Sequence, residues 1–391
     1  MTADITYLAR FLGASIEHLA TFAAQSARLD DLARAHPVAF VALATEYGDA
    51  ARRSLAIRAV IEGRRLRTVC DLAAIPYCLR SVPPEHCPFP LPPADWSADA
   101  SPLLANFIPE NSTALASWVP AVFFANGAAG EPFAVWIASR HELFTAATLE
   151  HRRLLPLALY VWFSRHPQYE LHHLLPDRWS ARTGTARLLK ATRAWLNRII
   201  CRTHLPGGNG VARQIFPAFD GTLSVIELTD YRLLLAEQRA MNNCLDRYGR
   251  RIASGTHRIF SLRTPTNASA ATFEVAMNGP NGPAVSEIKG PSNEPVSVNI
   301  ALAVEAWVKG LSLTLVIPEL RQQIAVTPED RTAQADECFA GLLEPYVAAH
   351  AAALRHCGPI TLRGLENDLQ EVAVKVGITS WPVRFEGTFR T

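Results

Sequence analysis

The sequence predicts an α+β protein: a largely helical N-terminal region, a small helix–three-strand–helix module and a helical C-terminal region. Three observations carry this expectation. Apolar residues recur at three- and four-residue steps through most of the first 205 positions, which is helical spacing. Alternation with period two replaces it between 256 and 289, and helical spacing returns from Val296 onward. With 49% apolar and 19% charged residues in 391, the chain has the composition of a globular protein of more than one folding unit.

In chain order, residues 1–75 form a helical segment. Ile5, Leu8, Leu12, Ile16, Leu19 and Phe22 place one apolar stripe on a helix. HPVAFVALATEYG and SLAIRAVIEG continue it, with Gly48 and Gly63 as stops. Residues 76–102 are a proline-rich connection: IPYCLRSVPPEHCPFPLPP (75–93) holds seven prolines, which remove backbone donors and exclude regular helix. Residues 103–205 return to helices rich in tryptophan and leucine, and PGGNG (206–210) breaks the chain.

The module spans 226–310. LTDYRLLLAEQRAMNNCLDRYGRRI (228–252) reads as one amphipathic helix, because Met241, Leu245, Tyr248 and Ile252 lie at steps of four, three and four. Thr229 or Asp230 caps its start, and Ser254 with Gly255 ends it. THRIFSLR, ATFEVAM and AVSEIKG read as strands. In the second, Phe273, Val275 and Met277 share one face, and Thr272, Glu274 and Ala276 the other. Asn293 is placed to cap the next helix, with Pro295 in its first turn and Val296, Ile300, Val304 and Trp307 as its buried stripe. In the extension 311–391, SLTLVIP (312–318) reads as a strand and 328–356 as alanine-rich helix.

Several function classes are disfavoured. The most apolar run, LLPLALYVWF (154–163), is about half the roughly 20 residues a membrane-spanning helix needs. The N-terminus lacks the pattern of a secretory signal. Seven cysteines, an odd number scattered along the chain, do not suggest a disulfide framework. A cytoplasmic bacterial protein is expected, with no membrane partner. Cys70, Cys78, His86 and Cys87 lack the close pairs of zinc sites, and His166, His172 and His173 cluster loosely, so no metal and no cofactor is implied.

The chemistry-bearing residues fall into three sets. Cys244 is the candidate nucleophile, and a reactive thiol needs a cation, a helix N-terminus or a paired base. On a continuous helix it sits too far from the N-terminus, with Arg247 and Tyr248 one turn on. His257, at the head of the first strand, is the candidate base. The simpler alternative is a small side chain buried beside Met241, Leu245 and Tyr248. A second set is Glu274, Glu287, Lys289 and Asn293, with Asn243 beside the cysteine. Glu287 and Lys289 share a strand face and Asn293 stands at a helix mouth suited to an anion; the alternative is a cap among solvated charges. The third set is the basic stretch of Arg178, Arg182, Arg187, Lys190, Arg193, Arg198 and Arg202, punctuated by Trp179 and Trp195. Arginines track phosphates and aromatics stack on unpaired bases, although these cations do not share one helical face. RRLRTVCDLAAIPYCLR (64–80) has some features of a helix-turn-helix, and a plain helical hairpin explains it as well. The net charge of +2 decides little.

Five spaced pieces resemble the PcfJ-like family, named for a protein of a conjugative plasmid and found in bacteria, plasmids and phages. They are LT (228–229), EQRAMNNCLDRY (237–248), GTHRIFSLR (255–263), ATFE (271–274) and EIKGPSN (287–293). Gln238, Asn243 and Glu287 stand where the family pattern has glycine, histidine and glutamine. The resemblance implies a fold and a mobile-element context, and it brings no reaction. The leading expectation is an accessory protein of plasmid- or phage-like context that binds nucleic acid or a nucleoprotein complex. The alternatives are a cysteine-dependent hydrolase or transferase using Cys244, Tyr248, His257, Glu274, Glu287 and Asn293, and a protein-interaction scaffold.

Overall fold

The computed structural model describes residues 5–9, 15–45, 47–86, 96–97, 99–144, 149–205, 215–216, 223–278, 282–310, 328–355 and 357–378. The predicted strand at 312–318 and the break at 206–210 lie outside them. The α+β class is as predicted: among the described residues helices dominate, with one antiparallel sheet. Among the described residues no helix is long and apolar enough to cross a membrane. The chain divides into two units, residues 1–192 with 344–391, and residues 193–343.

The first unit is helical. The predicted first stripe is interrupted: residues 5–9 are helical, and a new helix, Ile16–Ala24, starts at Ser15, whose hydroxyl accepts the His18 N–H. Gly63, at φ 75°, directly follows the cap of the helix Ala50–Ile61 and serves as its stop, whereas the preceding helix already ends at Ala44 and Gly48, at φ 68°, lies in the connection to the next. Within 75–86 the proline-rich stretch forms two short 3₁₀ turns, Tyr77–Ser81 and Pro84–His86. Every residue of Leu155–Ser164 is buried, so the most apolar run of the sequence is an interior helix. Around the core stand Trp118, Phe123, Phe124, Phe133 and Tyr346, all nearly inaccessible. The C-terminal helix Leu362–Lys375 buries Leu362, Leu365, Leu369 and Val372 at helical spacing. Arg153 ties it in through ion pairs to Asp368 and, at 2.9 Å, to Glu371.

The second unit is built on the sheet. Its strands are β1 (Ile215–Phe216), β2 (Ser224–Glu227), β3 (His257–Arg263), β4 (Ser269–Ala276) and β5 (Ala284–Lys289), paired antiparallel in chain order. The sequence foretold the last three, and β1 and β2 add to them. Register sorts the side chains onto two faces, because neighbours along a strand point oppositely. Phe260 pairs with Phe273 and Phe273 with Ile288, and these project to one face with Val225 and Leu262. That face is closed by the helix Val298–Gly310, whose Val304 and Trp307 pack on it. The Trp307 ring meets Phe260 and Phe273 edge-on at 5.4 and 5.7 Å. This helix starts five residues after Asn293, and the Ser297 hydroxyl, not Asn293, accepts a first-turn N–H, that of Ile300 at 3.4 Å.

The other face is polar. Ile259, Glu274 and Glu287 form one row across β3, β4 and β5, and Ser261, Thr272 and Lys289 form the next. The helix Tyr231–Met241, capped by the Asp230 carboxylate, lies over this face. Its Glu237 is inaccessible and accepts four hydrogen bonds, from Ser261 and Thr272 at 2.7 and 2.9 Å and from Arg263 and Ser269 at 2.6 and 2.8 Å. A buried carboxylate is tolerated only when so fully satisfied.

Candidate functional site

The predicted single helix 228–252 is two helices with a break. The first ends at Met241, Asn242 takes the left-handed conformation at φ 48°, and the chain resumes as a 3₁₀ turn, Leu245–Arg247, and a short helix, Gly249–Ala253. Asparagine is one of the few residues that tolerate this conformation at a helix end. The break corrects the reading of Cys244. It lies between the helices and is exposed, not buried within one, while Cys70, Cys78 and Cys201 are buried. Leu245 and Asp246 take the buried positions instead.

Because the first helix stops short, the polar face of the sheet is left open toward β5. The opening is a cleft enclosing about 390 Å³ of empty space, part of it open to solvent. Asn243, Cys244 and Tyr248 form one wall, Thr272, Glu274, Glu287 and Lys289 the sheet side, and Asn293 the far rim, with Leu245, Ile259 and Phe273 beneath. The structure therefore brings together seven of the eight predicted catalytic and ligand-binding residues. His257 is the exception: it does not line the cleft and is joined to it through Glu274, with Nε2 3.3 Å from Oε1.

The two glutamates face each other directly across β4 and β5, an arrangement of like charges that costs stability. The surroundings offset it. The Tyr248 hydroxyl lies 3.3 Å from Glu274 Oε2 and 3.4 Å from Glu287 Oε2, within reach of both with a single proton to donate. Arg251 donates to Glu274 Oε1 at 3.3 Å, and Lys289 pairs with Glu287 at 3.4 Å. Burial and the neighbouring Glu274 carboxylate push the Tyr248 phenol well above its usual range, so it stays protonated. Burial lowers the His257 pKa, opposed by Glu274 and reinforced by Arg251. At the register shift between Glu274 and Val275, the Ser286 hydroxyl donates to the Glu274 carbonyl at 3.3 Å and fills the irregularity.

Backbone strain gathers at the rim. Of the five non-glycine residues with positive φ among the described ones, Asn242, Ser292 and Asn293 stand here. The Asn242 amide donates to the Ser292 hydroxyl at 3.1 Å, which ties the two rim loops together. Such strain is held in place only by surrounding structure and is common at functional sites.

Glu237, Arg251, Thr272 and the Asn242–Ser292 tie are absent from the candidate catalytic and binding residues read from the sequence, although Thr272 was placed on the same strand face as Glu274. For Glu237 a signal existed: it occupies the apolar stripe of Leu233, Leu234 and Met241, where a carboxylate requires buried partners. Glu237 acts on the cleft through Thr272, which also accepts from the Asn243 amide at 3.4 Å.

The predicted basic set is not uniformly exposed. Arg178, Arg182, Arg187 and Lys190 are exposed, and Arg187 is paired with Asp177. Arg198 is buried, with Arg193 and Arg202 half-buried. Arg193 and Arg198 act on the buried Asp246, and Arg202 lies over the Tyr231 ring at 5.2 Å. Trp195 is core, and Trp179 meets Phe133 edge-on at 6.2 Å, so neither is a free stacking platform. The helix-turn-helix candidate at 64–80 is the helix Leu66–Ala73 followed by the 3₁₀ turn Tyr77–Ser81, with no second helix of recognition length.

No family model, no curated protein and no solved structure matches the chain.

Proposed function

We propose that the second unit carries the active centre of a cysteine-dependent hydrolase or transferase, with Cys244 as nucleophile. The observation that carries this reading is the exposed thiol opening onto a cleft with a protonated phenol and two carboxylates. Convergence of a nucleophile with acid–base groups in a concave polar site is the usual mark of a catalytic centre. In acyl transfer the Cys244 sulfur forms a bond to the acyl carbon as the leaving group departs with a proton. Water or a second acceptor then releases the acyl group and restores the thiol. Glu287, the more exposed carboxylate, is the acid–base group in this scheme. Lys289 and the Asn293 amide are the donors for the developing oxyanion.

Iodoacetamide labelling of the native chain at neutral pH, mapped by mass spectrometry, tests it. Cys244 is expected to react at least about tenfold faster than free glutathione, as activated thiols do. Tyr248→Phe and Glu287→Gln are expected to slow it. A rate no higher than that of glutathione refutes the reading.

A second reading, nucleic-acid binding in a plasmid- or phage-like context, rests on the exposed Arg178, Arg182 and Lys190 of the first unit. It predicts salt-dependent binding to single- or double-stranded DNA or RNA that is lost when all three are changed to alanine; no binding at low salt removes it.

A further inference from the structure

We infer that Glu287, Tyr248, Glu274 and His257 form a proton relay, so that the protonation of the exposed carboxylate in the cleft is linked to that of a histidine outside it. The path is continuous. Glu287 Oε2 lies 3.4 Å from the Tyr248 hydroxyl, which lies 3.3 Å from Glu274 Oε2, and Glu274 Oε1 lies 3.3 Å from His257 Nε2. Beyond the ring, Nδ1 meets the Thr256 hydroxyl at 2.9 Å. His257 is partly exposed, at 21% of its side chain, and Glu274 at 8% is nearly closed off, so the path runs from the cleft through a buried carboxylate to a ring that reaches solvent. The separations are longer than the best O–H···O bonds, as unliganded acid–base sites often are.

Proton counting explains why the four groups act together. The phenol has one proton and two carboxylate acceptors. When Glu287 carries a proton, it passes it to the Tyr248 oxygen as Tyr248 gives its own to Glu274 Oε2. Glu287 is then a carboxylate, Tyr248 is again a neutral phenol and Glu274 is a carboxylic acid. Rotation of that carboxyl presents the proton to His257 Nε2, which becomes an imidazolium. The reverse sequence returns it. No phenoxide accumulates, consistent with a phenol whose proton is held tightly. The charged groups facing this path are Arg251, 3.3 Å from Glu274 Oε1 and over the Tyr248 ring at 5.5 Å, and Lys289, 3.4 Å from Glu287. Both are basic side chains that offset the negative charge of the two glutamates.

The relay gives the cleft a means of exchanging protons with solvent while a substrate covers it. That purpose rests on the proposed active centre, whereas the linkage itself is read without any reactivity at Cys244. The experiment is a carbon-detected histidine titration of the full chain, with the His257 signal assigned by its loss in His257→Gln. Glu287→Gln is expected to lower the His257 midpoint by about half a unit, the direction expected when a carboxylate linked to the imidazole is lost. In a Tyr248→Phe background the same substitution is expected to produce less than a fifth of that shift. An unchanged His257 midpoint in Glu287→Gln overturns the relay. So does an equal shift with and without the hydroxyl, which would be Coulomb interaction through space alone. If Tyr248→Phe does not fold, the wild-type chain labelled at glutamate carboxyl carbons decides: the Glu287 signal must inflect at the His257 midpoint, and its absence there overturns the relay equally.

Discussion

Glu237 offers the most demanding test of how the sheet holds its polar face. Replacing it with alanine leaves three hydroxyls and the Arg263 guanidinium, whose side chain is 14% exposed, without their acceptor. Removing one partner of a buried ion pair costs about 3–5 kcal/mol, because the remaining charge stays desolvated. Glu237→Gln keeps the shape and one acceptor oxygen, and the freed NH₂ can face Ser261 and Thr272, whose hydroxyls can turn to accept. Its cost is therefore the loss of charge against Arg263 and Ser269, about 1.5–3 kcal/mol for hydrogen bonds involving ions. Urea unfolding of the full chain measures both. At a slope of about 2 kcal/mol/M, alanine is expected to lower the midpoint of the second unit's transition by roughly 2 M and glutamine by about half that. Alanine costing under about 1 kcal/mol would show that Glu237 is not the clamp its four bonds imply. Equal costs for alanine and glutamine would refute the separation of charge from shape.

Further expectations concern packing and pH. A Cβ on Gly249 would stand 2.8 Å from the Cys201 backbone and 2.9 Å from its sulfur, so Gly249→Ala should cost about 1–3 kcal/mol, read by thermal melting. Glu287→Gln relieves the like-charge pair across β4 and β5 and should raise stability by up to about 1 kcal/mol while slowing Cys244 labelling; a loss of stability refutes the first half. His36 is inaccessible, accepts the Ala39 N–H at 3.2 Å, and has its pKa pushed by burial down to about 4. Its folded pKa lies below the unfolded value near 6.5, so the unfolded chain binds the proton more readily. Stability is then complete above about pH 6.5 and falls by roughly 3 kcal/mol toward pH 4. His36→Asn, a neutral capping residue, should flatten that slope, and an unchanged slope in denaturant titrations assigns the loss elsewhere.

Much of the site was legible because strand periodicity is local. The alternation in ATFEVAM separates Phe273 and Val275 from Thr272 and Glu274, and the sheet keeps that separation. Glu287 and Lys289 follow on the same polar face by the same rule. The break at Asn242 was hidden for a physical reason. The 3₁₀ turn keeps Leu245 buried, so the apolar steps from Met241 to Leu245 persist across a helix that has ended. The paired asparagines after Met241 were the competing signal, since asparagine readily ends a helix in the left-handed conformation. β1 and β2 are two and four residues long and gain their structure from neighbours, β1 from pairing with β2 and β2 from pairing with β3, which no local pattern records. Within the basic stretch, sequence does not separate arginines that serve interior acids from those left exposed: Arg193 and Arg198 answer Asp246.

The two faces of the sheet are closed in different ways. Its apolar side is closed by Val304 and Trp307 and carries the area that holds the unit together. The polar side is closed twice, by Glu237 over the row of Ser261 and Thr272, and by Tyr248 over the row of Glu274 and Glu287. The two closures differ in kind. Glu237 is inaccessible and all its bonds are 2.9 Å or shorter, which is the geometry of a fixed structural clamp. Tyr248 makes contacts of 3.3 and 3.4 Å with two carboxylates that repel each other, at an opening bordered by three strained residues. In the proposed active centre this is the row whose groups change protonation, and it stands one row away from a fully satisfied carboxylate on the same strands, so the proposed chemistry is separated from the clamp that fixes the scaffold.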